Sequence, residues 1–195
     1  MITFFLTVAH QVPFRELTSY CSIVLQTTLE NEKIMVKLVY DCIMAPYDIA
    51  NILQVVLAIG DCELYFTGRS LRHDHPKVVS KIGSWSSKIR KMGYPNFNIH
   101  YYSSLEDLSD EFKEKNIRLI GTSPAAKKSF YELNLEKNDF AIVFGNEITG
   151  LSKNKVSVVE ELVKIPMSGE IDFMTLSMIT PIVAYEIVRQ QKKFV

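Results

Sequence analysis

The sequence predicts an α/β protein, a parallel sheet with helices on both faces. Three observations carry this. Strand-like and helix-like segments alternate along the whole chain. The strand-like segments, such as "VKLVYDCI" and "FAIVFG", are near-continuous apolar runs, as expected when both faces of a sheet are covered. Several run into glycine or proline loops, "IGTS", "FGNE" and "IPMSG", at the carboxyl ends where such sheets bind ligands. A chain of 195 residues suffices for one domain with a real core, and a hydrophobic content of 47% argues against disorder.

Each element follows from its residues. Phe14, Leu17, Tyr20, Cys21, Val24 and Leu25 recur at helical spacing, which predicts an amphipathic helix over 14–30. Residues 36–43 read as a buried strand. Pro46 and Asp48 open the next helix, with Asp48 as N-cap and Gly60 as C-cap. A strand at 63–68 precedes a helix over 76–93, stopped by Gly93 and Pro95. A strand at 97–102 leads to a helix over 104–115, capped by Ser104, with acidic residues early and lysines late as the helix dipole prefers. Strands follow at 117–123 and 140–145, then a helix over 152–162, a strand at 163–167 and a last helix over 175–192. Pro181 removes a hydrogen bond from that helix and predicts a kink, or a helix start near residue 180.

Composition narrows the function. No apolar run is long enough to cross a bilayer. "MITFFLTVAH" lacks the basic start and small-residue cleavage site of a secretory signal, so a cytoplasmic protein is expected. Cys21, Cys42 and Cys62 are odd in number, widely spaced and set in apolar surroundings. They read as buried thiols of a reducing compartment, neither a disulfide set nor a zinc site. A net charge of zero excludes a uniformly basic nucleic-acid binder. Locally, Arg69, Arg72, Lys77, Lys81, Lys88, Arg90 and Lys91 are opposed only by Asp74, with His73, His75 and Trp85 among them. This strip is either a solvated helix face or a surface for a phosphate backbone. His73 and His75 have no Cys or Glu partner in view, so no metal is expected.

The loop in "DFAIVFGNEITGL" raises the question of a ligand. It is not a P-loop, lacking Gly-Lys-Ser/Thr, and not a dinucleotide fingerprint, lacking Gly-x-Gly-x-x-Gly. Gly145 either lets a ligand approach the backbone or simply makes a turn. Glu147 either holds a polar group or is solvated.

The loop does not stand alone. Phe144-Gly145-Asn146-Glu147 with Gly150-Leu151, then Ile165-Pro166-Met167-Ser168-Gly169, then Tyr185-Glu186 resemble, in order and spacing, the last motifs of the SpoU/TrmH family of the SPOUT superfamily. These are RNA ribose 2′-O-methyltransferases that use S-adenosylmethionine. "APYDIANILQVVLAIG" is similar to the family's first motif and "IRLIGTS" to its fourth strand. The resemblance covers residues 36–195, leaving residues 1–35 as an N-terminal extension, expected to be helical. It implies a SPOUT-type sheet with a C-terminal trefoil knot, a homodimer, and RNA, either tRNA or rRNA, as partner. Residue by residue, it implies that Thr122, Gly145, Ile165, Met174 and Leu176 line the S-adenosylmethionine pocket. Glu147 and Thr175 fall on the substrate side, and Arg69, Arg72, Lys77, Lys81 and Lys88 become candidates for touching RNA. Met167, Met174 and Met178 read as pocket wall and core.

The chain departs from the family at functional positions. Gln54 stands where the family carries its catalytic Arg, and Asp48 where the first motif has Asn. Phe173-Met174-Thr175 replaces Ser-Leu-Asn, while Ser177 keeps its place. Gln54 can hydrogen-bond a hydroxyl or phosphate, but it is neither a useful base nor a bidentate cation. Losing a general base costs about two to four powers of ten. Asp48 is either a substitute base or the helix cap. The expected function is therefore RNA ribose 2′-O-methylation, with an RNA-binding relative that has lost catalysis as the alternative. A third reading, an unrelated doubly wound protein binding a nucleotide or flavin, stands behind both.

Overall fold

A computed structural model of the protein describes residues 35–82, 96–137 and 139–191. The helix expected over 14–30, and with it Cys21, lies outside these residues. The strands are β1 (Val36–Asp41), β2 (Cys62–Thr67), β3 (Ile99–Tyr102), β4 (Arg118–Thr122), β5 (Lys128–Ser129), β6 (Phe140–Phe144) and β7 (Glu161–Lys164). The helices are α1 (Pro46–Ile59), α2 (Pro76–Ile82), α3 (Leu105–Glu114), α4 (Lys153–Val156) and α5 (Leu176–Gln191). All seven strands pair in parallel, in the order β3-β2-β1-β6-β4-β7-β5.

Successive side chains of a strand point to opposite faces, and here both faces are packed. Leu38 and Tyr40 of β1 join one apolar cluster with Ile49, Ile52 and Leu53 of α1 and Val183 and Ile187 of α5. Val39, between them, joins a second cluster with Leu105, Leu108 and Phe112 of α3 and Val143 of β6. Each such fully buried side chain contributes about 1.5–3 kcal/mol. Tyr40 also stacks on Phe144, with ring centroids 5.0 Å apart, and its hydroxyl is bonded to Thr180 at 2.8 Å. That buried bond ties the middle of the sheet to α5.

Ser104 caps α3 as expected, its side chain accepting the Asp107 N–H at 3.1 Å. Gly60 ends α1 at φ 89°, a conformation open to glycine at little cost. Asp48 is not the cap of α1. Proline occupies the first turn, so the N-cap falls earlier, at Ala45, whose carbonyl accepts from Ile49 at 3.1 Å. Asp48 sits inside the first turn instead. The helix expected over 152–162 shortens to α4, because Glu161 and Leu162 pair with Ile120 and Gly121 on the open side of β4. Strand pairing outweighs the helical preference of a Glu-Glu-Leu run. The two-residue β5 carried no readable pattern. α5 begins at Leu176 with Pro181 inside it, so the late start near residue 180 is not observed. α2 is described to Ile82, and residues 83–95 lie outside the described residues. Cys62 is buried, and burial pushes its thiol up to about 12. Cys42 is only partly buried, a correction to the expectation of a core thiol.

Candidate active site

The sheet order reverses beside β1, and the cavity lies across the carboxyl ends of the strands beyond that point, where open α/β sheets bind ligands. A cavity of about 450 Å³ opens beyond β4, β6 and β7. Thr122 ends β4, Gly145 follows β6, Ile165 follows β7, and Met174 and Leu176 lead into α5. All of these line the one cavity. Met167 and Phe173 line it as well. Met178 does not; it is 58% exposed, because it falls on the solvent side of α5.

The 145–151 loop has an internal logic. Asn146 N–H donates to the Gly150 carbonyl and Gly150 N–H to the Asn146 carbonyl, at 3.2 and 2.9 Å. Asn146 Oδ1 accepts the Ile148 N–H at 2.9 Å, and its Nδ2 donates to the Cys42 carbonyl at 2.8 Å. The loop is thus a closed turn pinned to the end of β1. A Cβ on Gly145 would lie 2.2 Å from both Gly150 C and Leu151 N. Gly145 is required by the close approach of its own loop, whether or not a ligand is near. The sequence places Asn146 in the motif without giving it a role; that role depends on a carbonyl 104 residues away.

Glu147 is engaged, not solvated. Its Oε1 accepts the N–H groups of Met44 and Ala45 at 2.7 and 2.6 Å, and its Oε2 accepts from Asn146 at 3.0 Å. The carboxylate therefore serves the start of α1, the role the sequence suggested for Asp48. Asp48 instead accepts the Ser177 hydroxyl at 2.5 Å, and Ser177 is bonded to Thr175 at 3.1 Å. Thr175 is exposed and lies between the cavity residues Met174 and Leu176 without itself lining it. Gln54 is exposed on α1 and does not reach the cavity. Lys164, a cation the sequence did not single out, lines the cavity opposite Glu147 in charge.

The basic strip is less unified than it reads. Arg69 and Lys77 are exposed. Arg72 pairs with Asp74 at 3.1 Å and lies 4.3 Å from the Tyr101 ring centre, while Lys81 lies 4.4 Å from that of Tyr47. Lys88, Arg90, Lys91 and Trp85 lie outside the described residues. His73 is bonded through Nδ1 to the Tyr101 hydroxyl at 2.5 Å, and burial lowers its pKa. Among the described residues no group of His, Cys, Asp and Glu could hold a metal ion, and no helix is long and apolar enough to cross a membrane.

Comparison with known proteins points one way. The profile of the SpoU rRNA Methylase family matches residues 35–185. An uncharacterized tRNA/rRNA methyltransferase of Synechocystis is 25% identical over 79% of this chain. The 23S rRNA (guanosine-2′-O-)-methyltransferase RlmB of Pasteurella multocida is 23% identical over 86% of it. The chain spans 53% and 65% of the lengths of these two relatives. The SpoU methyltransferase AviRb of Streptomyces viridochromogenes, crystallised with its cofactor AdoMet, shares the fold. Its TM-score is 0.68 at 20% identity, over 82% of this chain and 61% of that one. The chain belongs to the SpoU rRNA Methylase family.

Proposed function

We propose that this protein is an S-adenosylmethionine-dependent ribose 2′-O-methyltransferase acting on tRNA or rRNA in the cytoplasm. One observation carries the reading: Thr122, Gly145, Ile165 and the pair Met174 and Leu176, from four parts of the sequence, meet around a single cavity. Its volume of about 450 Å³ suits a nucleoside-sized ligand. Its chemistry fits as well. Ile165, Leu176 and Met174 offer apolar walls for an adenine, the loop backbone offers polar groups, and Lys164 offers a cation for a carboxylate. Bound there, the cofactor supplies an electrophilic methyl group. The protein's own part is to hold the acceptor hydroxyl in line and to take its proton. Glu147 acts by fixing the chain from Met44 into α1 against the cavity loop.

The reading includes a trefoil knot around α5, a homodimer, and an N-terminal extension over residues 1–35. Exposed Met44, Tyr47, Met178 and Tyr185 supply apolar surface for a second copy. The exposed Arg69, Arg72 and Lys77, with Lys81 and Lys88, supply charge for RNA.

A second reading, an RNA-binding relative without catalysis, is favoured by one observation. Gln54, in the place of the family's Arg, is an uncharged residue facing solvent. Calorimetry with S-adenosylhomocysteine separates the two. Saturable binding with about one site per chain supports a working cofactor pocket. No binding at millimolar ligand overturns the methyltransferase reading. Gln54→Arg then tests what is missing: a rise in methyl transfer of about a hundredfold is the expected gain if that cation alone is absent.

A further inference from the structure

We infer that Asp48 is the proton acceptor of the methyl transfer and that Ser177 and Thr175 connect it to the ribose hydroxyl. The inference rests on the methyltransferase reading above and deepens it. Ser177 spends its one hydroxyl proton on Asp48 Oδ1. In its bond with Thr175, Ser177 must then be the acceptor, so Thr175 is the donor. The chain of bonds has a fixed direction, Thr175 to Ser177 to Asp48, and it leaves a lone pair of Thr175 Oγ1 open to solvent.

That open end faces solvent beside the cavity, outside its lining. Thr175 is exposed and stands between Met174 and Leu176, which both line the cavity. The other end is a carboxylate held in the first turn of α1. The link joins residues 129 positions apart, so it exists only in the folded site. Gln54, by contrast, has no bond to this chain and carries no charge.

The step balances. The ribose oxygen forms its bond to the methyl carbon as the sulfur–methyl bond breaks, and that electron pair stays on sulfur. The ribose proton passes to Thr175 Oγ1, the Thr175 proton to Ser177 Oγ, and the Ser177 proton to Asp48. Thr175 touches the substrate; Ser177 and Asp48 act through it. No residue at the position of Gln54 is needed for proton removal.

The test is single-turnover transfer of a tritiated methyl group from S-adenosylmethionine to total RNA from source cells lacking the gene. S-Adenosylhomocysteine binding is measured on the same samples. Asp48→Asn, Ser177→Ala and Thr175→Val are each expected to lower kcat about a hundredfold. KM and the binding of S-adenosylhomocysteine should stay within about twofold, since the relay acts in the transition state and not in binding. Thr175→Ser, which keeps the hydroxyl, should retain most of the rate. The dependence of the rate on deuterium content should be curved in the unaltered protein, because several protons move together, and linear in Ser177→Ala. Full rate in Asp48→Asn overturns the relay and leaves the methyltransferase reading intact. So does a rate loss that tracks weakened cofactor binding or a lowered melting temperature, which would mark the bonds as packing. Absence of transfer by the unaltered protein overturns both.

Discussion

The cavity loops and the surface from Arg69 to Ile82 make an instructive pair. Both were marked by sequence, one by glycines and one by charge. In the cavity, the marked positions converge, and they do so through the backbone: Gly145 against Gly150, Asn146 against Cys42, Glu147 against Met44 and Ala45. On the basic surface, several charges find partners within the protein, Arg72 with Asp74 and Tyr101, Lys81 with Tyr47. Shape at a strand end leaves little freedom, so a glycine there is informative. Charge on an exposed side chain has many uses, so a basic run says less.

The sharpest way to break this contrast is Gly145→Ala. With a contact of 2.2 Å to backbone on the far side of the turn, the loop must open. We expect a loss of about 3 kcal/mol in urea unfolding. S-Adenosylhomocysteine binding should weaken at least about a hundredfold in calorimetry, roughly the effect of losing a preorganised site. Glu147→Gln comes next. It keeps the shape but weakens charge-assisted bonds to Met44 and Ala45, and about 1.5–3 kcal/mol should be lost in the same unfolding measurement. Lys77→Ala should change stability by no more than about 0.5 kcal/mol. If Lys77 meets a phosphate, RNA affinity should fall and the slope of its salt dependence should drop by about one, read from filter binding at several salt concentrations. An unchanged slope would assign Lys77 to the solvated surface.

The smallest effect concerns His73. Burial holds its pKa below the ordinary value, and its Nδ1 is bonded to the Tyr101 hydroxyl. The unfolded chain therefore binds more protons than the folded one in this range, and stability rises with pH. The contribution is complete above the ordinary histidine pKa of about 6.5 and is lost as pH falls below it. Thermal melts between pH 7.5 and 5.5 should show this decline, and His73→Gln should flatten it.

The sheet was legible because its strands are apolar throughout, and a run such as "FAIVF" admits few readings. What escaped the sequence depended on partners elsewhere. Glu161 and Leu162 look helical beside Glu160, yet the free side of β4 claims them as a strand. Lys128–Ser129 is too short to announce itself. Asp48 has the composition of a cap, but Pro46 sets the helix start earlier and Glu147, 102 residues away, binds the N–H of Ala45. The same limit governed the site. The glycine loop and the motif around Ile165 could be placed by resemblance. The hub role of Asn146, the cation at Lys164 and the Asp48–Ser177 link required three-dimensional neighbours.

The strand order has a consequence for synthesis. β6 lies between β1 and β4, though it follows both in the chain. Until residue 144 has emerged, β1 and β4 each present an unpaired edge that invites pairing with other chains. Between the emergence of β4 and that of β6 the sheet is split, and the gap closes only when the later segment is inserted between its two neighbours. Its contacts are long-range by design of the topology, so slow folding and exposure to aggregation belong to this chain's birth more than to its working life.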